Sequence, residues 1–302
     1  MSSSPSSFSS VPVFILAGGY GTRISEESQF KPKPMIEIGN LPILIHIMRS
    51  YYAFGFNDFV ICAGYRAVEI KKFFMSYQFQ TSDLEIDHRH SAEAVHRPLS
   101  GSFANEKWRV RVLDTGLNTQ TGGRVARALD RIQELSPFRE FALTYGDGLC
   151  DVDLANELVF HREHGTVGTV LGVRNMARYG ELDVAEGNRV AGFLEKPASR
   201  QGYISGGFFF FDARFREFLS TEENCVMEGE PLTRLAAEGQ LQVYKHSGFW
   251  QAMDTLRDKN QLQKLWDAGQ APWTPGYAGS AEILRLDPRE KTDRRARPRK
   301  TG

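Results

Sequence analysis

Apolar runs and amphipathic segments alternate along the first part of the chain. Residues 11–17 form an apolar run that ends in two glycines, a pattern typical of a buried strand that leads into a loop. Residues 43–51 then place apolar side chains on one helical face, with Asn40 available as the cap of that helix. Residues 59–63 predict a second buried strand, and residues 67–77 predict a second helix. The order strand, helix, strand, helix indicates a parallel sheet.

The same alternation continues to about residue 145 and then changes. Residues 109–113 alternate like a strand, residues 122–131 have helical spacing, and residues 141–145 predict another buried strand. Short strands separated by turns follow, at residues 165–173, 181–184, 189–194 and 206–211. Residues 256–268 predict a closing helix. The sequence therefore predicts an α/β fold with a central, mostly parallel mixed sheet and a smaller β region.

Composition narrows the class of protein. The chain has 302 residues, of which 41% are hydrophobic, enough to bury a large core. Lys plus Arg and Asp plus Glu each number 37, so the charge balance indicates neither nucleic acid nor an anionic membrane as a partner. No apolar run approaches the roughly 18 residues of a membrane-spanning helix. The three cysteines, Cys62, Cys150 and Cys225, favour a reducing compartment, and we expect a cytoplasmic location.

Three segments of different character divide the chain. Residues 1–10 are rich in serine and predict a flexible leader. Residues 11–275 contain the strand and helix patterns and predict one domain. Residues 276–302 are rich in Gly, Pro and charge and predict a mobile basic tail.

A glycine loop follows the first predicted strand. Gly18, Gly19 and Gly21 leave backbone N–H groups open to a phosphate, and Arg23 adds positive charge. The loop lacks the Gly-Lys-Ser/Thr ending of a P-loop and the last glycine of a dinucleotide-binding fingerprint, and a simple turn would explain the same glycines. Residues 31–34, Lys-Pro-Lys-Pro, hold two ammonium groups on an extended backbone. That arrangement suits a polyphosphate, although an exposed connector can have the same composition.

Together the two segments resemble the signature of the sugar-1-phosphate nucleotidyltransferases. The doubled Lys-Pro and the Ile-Glu-Ile-Gly that follows resemble the glucose-1-phosphate cytidylyltransferase branch of that family. The resemblance implies a Rossmann-like nucleotidyltransferase fold, in which Arg23 stabilises the charge of a triphosphate and Lys33 contacts its α-phosphate. The residues it implies in nucleotide binding are Leu16, Ala17, Gly18, Gly19, Tyr20, Gly21, Thr22, Arg23, Lys33, Thr119, Arg124 and Gly146.

Two aspartates are candidate metal ligands. Asp147 lies in a Gly-Asp-Gly turn after a buried strand, at the edge where open α/β sheets bind ligands. Asp254 precedes the closing helix. Each has a simpler explanation, because Asp147 suits a turn and Asp254 could be a helix N-cap. The resemblance implies that both bind Mg²⁺ and that Asp147 is catalytic together with Arg23 and Lys33.

Two further segments are expected to select the substrates. The polar loop of residues 114–124 could simply be solvated, but it resembles the cytosine-contacting loop of the family, with Thr119 and Arg124 at the nucleotide. The residues that resemble the sugar-phosphate contacts are Glu195, Lys196, Gly206 and Gly207. Ser205 stands where the family pattern has asparagine, a difference that bears on the sugar and not on the chemistry.

The resemblance implies transfer of a cytidylyl group from CTP to α-D-glucose 1-phosphate, giving CDP-glucose and pyrophosphate by Mg²⁺-assisted in-line displacement. UTP or dTTP, another sugar 1-phosphate, or a catalytically silent homologue that binds sugar nucleotides are the alternatives. A homo-oligomer, up to a hexamer, is also implied.

Four histidines occur in pairs without a third metal ligand and are expected to be structural, namely His88, His90, His161 and His164.

Overall fold

The computed structural model describes residues 8–24, 31–80, 82–87, 95–100, 106–176, 181–184, 190–194 and 198–274. Residues 1–7 of the predicted leader and the whole predicted tail, 276–302, lie outside the described residues. Phe8, near the end of the predicted leader, is buried against Phe56, with the ring centroids 5.6 Å apart.

Strands and helices alternate along most of the described chain. The strands are β1 Val13–Ala17, β2 Glu37–Ile38, β3 Leu41–Pro42, β4 Asp58–Ala63, β5 Asp83–Asp87, β6 Val95–Ser100, β7 Arg109–Asp114, β8 Glu140–Tyr145, β9 Gly148–Cys150, β10 Gly168–Met176, β11 Glu181–Val184, β12 Val190–Leu194, β13 Ala198–Asp212, β14 Leu241–His246 and β15 Trp250–Ala252. The α-helices are α1 Ile43–Ala53, α2 Ala67–Gln80, α3 Thr121–Leu135, α4 Leu154–His164, α5 Glu230–Ala237 and α6 Leu256–Asp267.

Seven strands form the central sheet, in the order β14-β10-β13-β8-β1-β4-β7. Strand β1 is parallel to β4 and β8, β4 is parallel to β7, and β10 is parallel to β14. Only β13 runs antiparallel to its neighbours, β8 and β10, among the described pairings of this sheet. The predicted mostly parallel mixed sheet is therefore confirmed. Of the predicted short strands, β10 and β13 join the central sheet, whereas β11 and β12 pair separately.

The central strands are buried on both faces. In β1, Val13 and Ile15 contribute to the core that includes α1, whereas Phe14 and Leu16 contribute to the core that includes α3. Successive side chains of a strand point to opposite faces, so one continuous apolar run fills two cores. This is why the run at residues 11–17 could be recognised as a strand between helical layers.

Strand β1 lies where the chain changes direction across the sheet. From β1 the chain proceeds to β4 and then β7 on one side, whereas β8 lies on the other side of β1. Open α/β sheets bind ligands at such a point, outside the carboxyl ends of the strands. The loops that follow β1 and β8 therefore meet where a ligand site is expected.

The turn before α1 differs from the sequence prediction. Strands β2 and β3 pair as a short hairpin, with Gly39 in its turn at φ 63° and Asn40 beside it. Helix α1 starts at Ile43, directly after Pro42, so Asn40 does not cap it. A Cβ on Gly39 would lie 2.2 Å from the indole nitrogen of Trp266. Because α6 packs this close, the turn carries glycine at position 39. The sequence pattern had predicted a helix cap at the next residue, Asn40.

Strand β14 and helix α5 were not predicted from the sequence. Strand β14 lies at one edge of the sheet and its side chains are partly or fully exposed, so it contains no continuous apolar run.

Within the described parts of the chain, no helix has the length and apolar character needed to cross a membrane.

His46 is buried at the junction of α1 with the C-terminal helix region. Its Nε2 lies 2.9 Å from the Ile38 carbonyl oxygen, and Trp273 donates its indole N–H to His46 Nδ1 at 3.3 Å. The carbonyl can only accept, so these partners fit a neutral ring with the proton on Nε2. Burial lowers the pKa of His46 to about 4.

Acid should therefore destabilise the fold through His46. Between pH 6.5 and about 4 the unfolded chain binds a proton that the folded chain excludes, so the free energy of unfolding falls as pH decreases. The full contribution is on the order of 3 kcal/mol. Denaturant unfolding from pH 7 to 4 should show a shallower slope for His46→Gln than for the wild type. His164→Gln, at a less buried imidazole whose pKa burial also lowers, should reduce the slope less; equal slopes for wild type and His46→Gln would contradict this origin.

Candidate active site

A cavity of about 230 Å³ opens at the carboxyl edge of the sheet, beside β1 and β8. It is bounded by the glycine loop after β1, the polar loop before α3 and the turn after β8. The predicted site residues that line it are Leu16, Ala17, Gly18, Gly19, Tyr20, Gly21, Lys33, Thr119, Arg124, Gly146 and Asp147. Segments that are distant in sequence therefore meet around one cavity.

The buried side chain of Arg124 holds together the loops that form the cavity wall. Its guanidinium donates at 2.6–3.2 Å to the carbonyl oxygens of Gly18, Ala63, Gly116 and Leu117 and to the hydroxyl of Thr115. A Cβ on Gly18 would lie 2.3 Å from this guanidinium, so glycine is required there. Burial lowers the pKa of Arg124. The side chain ties together the ends of β1, β4 and β7, and its predicted contact with a nucleotide stays a prediction.

The polar loop carries further contacts at the cavity. The Thr119 hydroxyl is buried and accepts from Arg127 Nη1 at 2.8 Å. Tyr20 donates its hydroxyl proton to Asn118 Oδ1 at 2.8 Å, and its ring lies 5.0 Å from that of Tyr65. The glycine loop and the polar loop are thus joined across the cavity. The predicted base contact of Thr119 stays a prediction.

Lys33 lies between the two predicted metal ligands. Its Nζ is 2.5 Å from Asp147 Oδ2 and 2.9 Å from Asp254 Oδ1. Burial favours the neutral amine, but the two carboxylates outweigh it and raise the pKa of Lys33 above its ordinary value. Pro32 is extended, at φ −63° and ψ 147°, but Lys33–Met35 form a 3-10 helix, so the extended backbone predicted for residues 31–34 is wrong at Lys33 and Pro34.

A short ladder between β9 and β15 brings the aspartates together. Ala252 pairs with Gly148, and the Met253 N–H donates to the Asp147 carbonyl at 2.8 Å. Asp147 therefore precedes one strand of the ladder, and Asp254 follows the other. The two carboxylates hold the Lys33 cation between them, and carboxylate oxygens are the donors that hard divalent ions prefer. The donor set fits a divalent metal.

Asp254 is positioned by the start of α6. The N-cap of this helix is Thr255, so the alternative in which Asp254 is the cap is wrong. Asp258 accepts at 3.2 Å from the Asp254 N–H and at 2.9 Å from the Thr255 N–H. It also accepts from the Gln251 side chain at 3.2 Å. One buried carboxylate thus fixes both the helix start and the backbone that carries Asp254.

A second wall extends from Tyr145 towards β13. Gly207 has φ 77°, and a Cβ there would lie 2.5 Å from the Tyr145 ring. Trp250 donates its indole N–H to the Gly206 carbonyl at 2.7 Å. Glu228 accepts hydrogen bonds from the hydroxyls of Tyr145 and Thr121, both of which line the cavity. Of the predicted glycine pair, Gly207 therefore lies against Tyr145 and Gly206 against Trp250.

Not every predicted residue can be assigned a contact. Thr22 is exposed at the start of a short 3-10 helix, Thr22–Ile24, and the side chain of Arg23 lies outside the described residues. Glu195 and Lys196 also lie outside them. Their roles stay predictions.

Sequence reasoning missed Glu228 and Asp258. Glu228 is 83 positions from its partner Tyr145 and lies in no recognisable motif. A Thr-x-x-Asp pattern does mark the capping box of Thr255 and Asp258, and it could have identified that pair.

His161 and His164 both contact the Thr169 hydroxyl, in agreement with a structural role, whereas His88 and His90 lie outside the described residues.

Comparison with known proteins agrees with this geometry. The model of the nucleotidyl transferase family matches residues 12–268. The chain belongs to the nucleotidyl transferase family. The resemblance to sugar-1-phosphate nucleotidyltransferases is confirmed, and enzymes of this family generally use a sugar 1-phosphate, a nucleoside triphosphate and a divalent metal.

Relatives of this nucleotidyltransferase include enzymes with different named substrates. The glucose-1-phosphate cytidylyltransferase of Salmonella typhimurium is 41% identical over 259 residues, which cover 86% of this chain and 97% of that protein. The catalytic subunit beta of mannose-1-phosphate guanylyltransferase from Dictyostelium discoideum is 29% identical over 255 residues, covering 83% and 62%. HddC from Yersinia pseudotuberculosis, solved with GMP-PN, shares the fold at a TM-score of 0.57 and 20% identity, covering 84% and 98%.

Replacing Asp258 should impair both stability and activity of this nucleotidyltransferase. Asp258→Asn removes a charged acceptor for the Asp254 and Thr255 N–H groups, so we expect a loss of about 1–3 kcal/mol in the free energy of unfolding. Because Asp254 is then less fixed, kcat should fall in protein that is still folded. Denaturant unfolding and steady-state kinetics measure the two effects. Asp267→Asn, an exposed position on the same helix, is the control, and equal behaviour of the two variants would refute the positioning role.

Proposed function

We propose that this enzyme transfers a cytidylyl group from CTP to α-D-glucose 1-phosphate and releases pyrophosphate. The observation that carries the chemistry is the Lys33 ammonium held between the Asp147 and Asp254 carboxylates, beside a glycine loop at the carboxyl edge of the sheet. The choice of CTP and glucose is supported by the 41% identity to the Salmonella enzyme over 86% of this chain and 97% of that protein.

The proposed reaction is a direct displacement at phosphorus. A phosphate oxygen of glucose 1-phosphate forms a bond to the α-phosphorus of CTP, while the bond from that phosphorus to the oxygen bridging to the β-phosphate breaks. Pyrophosphate leaves with the electron pair, and CDP-glucose is formed. Lys33, charged because the carboxylates raise its pKa, contacts the α-phosphate and stabilises the developing charge. No nucleophilic side chain is required, since positioning and electrostatics provide the catalysis.

Asp147 and Asp254 are the proposed ligands of Mg²⁺. When bound there, this ion would neutralise phosphate charge and orient the α-phosphate. Magnesium commonly takes one or two carboxylates and completes its shell with water and substrate phosphates, which matches two aspartates at one point. Arg23 is proposed as a further cation for the triphosphate.

The nucleotide is proposed to bind along the glycine loop, with its base against the polar loop. Support comes from the open space at Gly19, where a Cβ would have no neighbour within 4 Å. The exposed polar side chains Asn118 and Gln120 line the same cavity as Gly19. Thr119 and Arg124 would act there by shaping the loop as well as by contacting the nucleotide.

The sugar phosphate is proposed to bind near Tyr145 and Gly207. Glu195 and Lys196 would supply a carboxylate for sugar hydroxyls and an ammonium for the phosphate, and Gly207 would let the backbone of β13 pack against Tyr145. Tyr145 and Asp147 line the same cavity, which supports this location.

A homo-oligomer, up to a hexamer, and a cytoplasmic location remain proposals. The three free cysteines fit a reducing compartment.

A nucleotide panel tests the proposed function. With Mg²⁺ and glucose 1-phosphate, pyrophosphate release should be fastest with CTP among CTP, UTP, dTTP, GTP and ATP, and mass spectrometry should identify CDP-glucose. Lys33→Ala should lower kcat by roughly 100-fold or more. Lys31→Ala, which removes the other lysine of the same motif, should stay close to the wild type because Lys31 pairs with Glu37 at the surface.

Other outcomes of this panel distinguish the alternatives. Faster release with UTP or dTTP would replace CTP in the proposal, and release only with a different sugar 1-phosphate would replace glucose. If no combination releases pyrophosphate, titration with CDP-glucose would identify a catalytically silent binding protein.

Glu228 should affect the sugar side of the site. Glu228→Ala removes the acceptor that holds the Tyr145 and Thr121 hydroxyls, so KM for glucose 1-phosphate should rise roughly 10-fold, the value of one hydrogen bond to a charged group. Steady-state kinetics with each substrate varied in turn separates this effect from a change in KM for CTP. Glu228→Gln should restore part of the loss, and Glu230→Ala on the nearby surface is the control. An unchanged KM in Glu228→Ala would rule out this role.

A further inference from the structure

A second group of metal-ligating side chains lies at the far end of the β9–β15 ladder. The ligand atoms of Cys150, Asp151 and His246 all lie within 4.8 Å of one another. Cys150 is three residues after Asp147 along β9, which separates the group from the catalytic aspartates by about 10 Å. His246 is the last residue of β14, so the group joins two parts of the fold.

Buried oxygen atoms without hydrogen-bond partners surround this group. Asp151 Oδ1 and both carboxylate oxygens of Glu157 are three of the six such side-chain atoms among the described residues. His246 Nε2 lies 2.8 Å from Asp151 Oδ1 and 3.3 Å from the Phe249 carbonyl oxygen, a contact that a metal ion on Nε2 would replace. Glu157 is fully buried and interacts electrostatically with Cys150. Burial raises the pKa of Glu157 to about 8, so its oxygens do not indicate an ion, whereas a buried acceptor such as Asp151 Oδ1 is expected to bind a water molecule or an ion.

The backbone beside the group is built for close approach. A Cβ on Gly248 would lie 2.5 Å from Asp151 Oδ1 and 2.7 Å from the His246 ring. The turn after β14 therefore packs tightly against both the carboxylate and the imidazole. Asp151 and His246 remain partly exposed, at 28% and 13% of their side chains, so an ion can reach them from solvent.

We propose that Cys150, Asp151 and His246 form a structural Zn²⁺ site, separate from the Asp147–Asp254 site. Sulfur, imidazole and carboxylate together are the ligand set of zinc and not of magnesium. A thiolate and a carboxylate balance the two charges of the ion, and water would complete a tetrahedral shell. Tetrahedral donors lie about 3.3–3.8 Å apart, so the observed spread requires side-chain shifts of about 1 Å. Burial raises the pKa of the Cys150 thiol, so the ion must displace its proton.

Such a site would fasten the ladder that carries both catalytic aspartates. Cys150 pairs with Trp250 across that ladder, and Asp151 donates its N–H to the Phe249 carbonyl at 3.2 Å. A bond from this segment to His246 would fix the loop between β14 and β15 against β9. The inference does not depend on which nucleotide or sugar the enzyme uses.

Cobalt titration of the full chain tests this site. After removal of metals by a chelator, Co²⁺ is added in the presence of excess Mg²⁺, which occupies oxygen-only sites. A thiolate-to-cobalt absorption band in the near ultraviolet should grow to an equimolar end point and vanish when Zn²⁺ is added. Cys150→Ser and His246→Ala should lose the band and weaken Zn²⁺ binding by at least the roughly 10- to 100-fold seen for losses around a metal site.

The double variant Cys62→Ala/Cys225→Ser leaves Cys150 as the sole thiol and should keep the band. Absence of the band in the wild type would overturn the proposal, whether or not the single variants fold. Persistence of the band in folded Cys150→Ser would overturn it as well, by assigning the thiolate to another cysteine.

Discussion

The contact of the Lys33 ammonium with the Asp147 and Asp254 carboxylates is the interaction on which the candidate site depends. The partners are 114 and 221 residues from Lys33 along the chain. Two carboxylates this close would repel each other, and the cation between them removes that cost. The same pair raises the pKa of Lys33, so the lysine is charged before any substrate arrives.

The sheet makes this contact possible, because the carboxyl ends of β1 and β8 lie side by side. On the proposed nucleotide side, Arg124 holds strand ends together. Its buried guanidinium donates hydrogen bonds to carbonyls at the ends of three strands. Positions 18 and 207 are crowded by neighbouring side chains. A Cβ at Gly18 would meet the Arg124 guanidinium, and a Cβ at Gly207 would meet the Tyr145 ring. The site is thus assembled from strand ends and held by a few buried charged groups.

Much of this could be predicted from the sequence. Continuous apolar runs identified β1, β4 and β8 because these strands are buried on both faces, and glycine-rich turns located Asp147 at the sheet edge. The sequence did not predict which groups a buried polar side chain contacts. Arg124 lines the cavity, as expected for a nucleotide contact, but the hydrogen bonds from its N–H groups to strand-end carbonyls were not predicted. Glu228 was missed because only the folded chain brings it to Tyr145, and Asn40 was misassigned because contact with a distant helix determines its turn.

The charges that meet at the described part of the site also constrain how a triphosphate can enter. Asp147, Asp254 and Lys33 together carry a net charge of −1, since two carboxylates face one ammonium. A bare triphosphate would be repelled by this group, whereas a divalent cation would be attracted to it. At the aspartate pair the electrostatics therefore favours a nucleotide that arrives with its metal ion. Lys33 stays protonated throughout, because it exchanges one set of anionic neighbours for another.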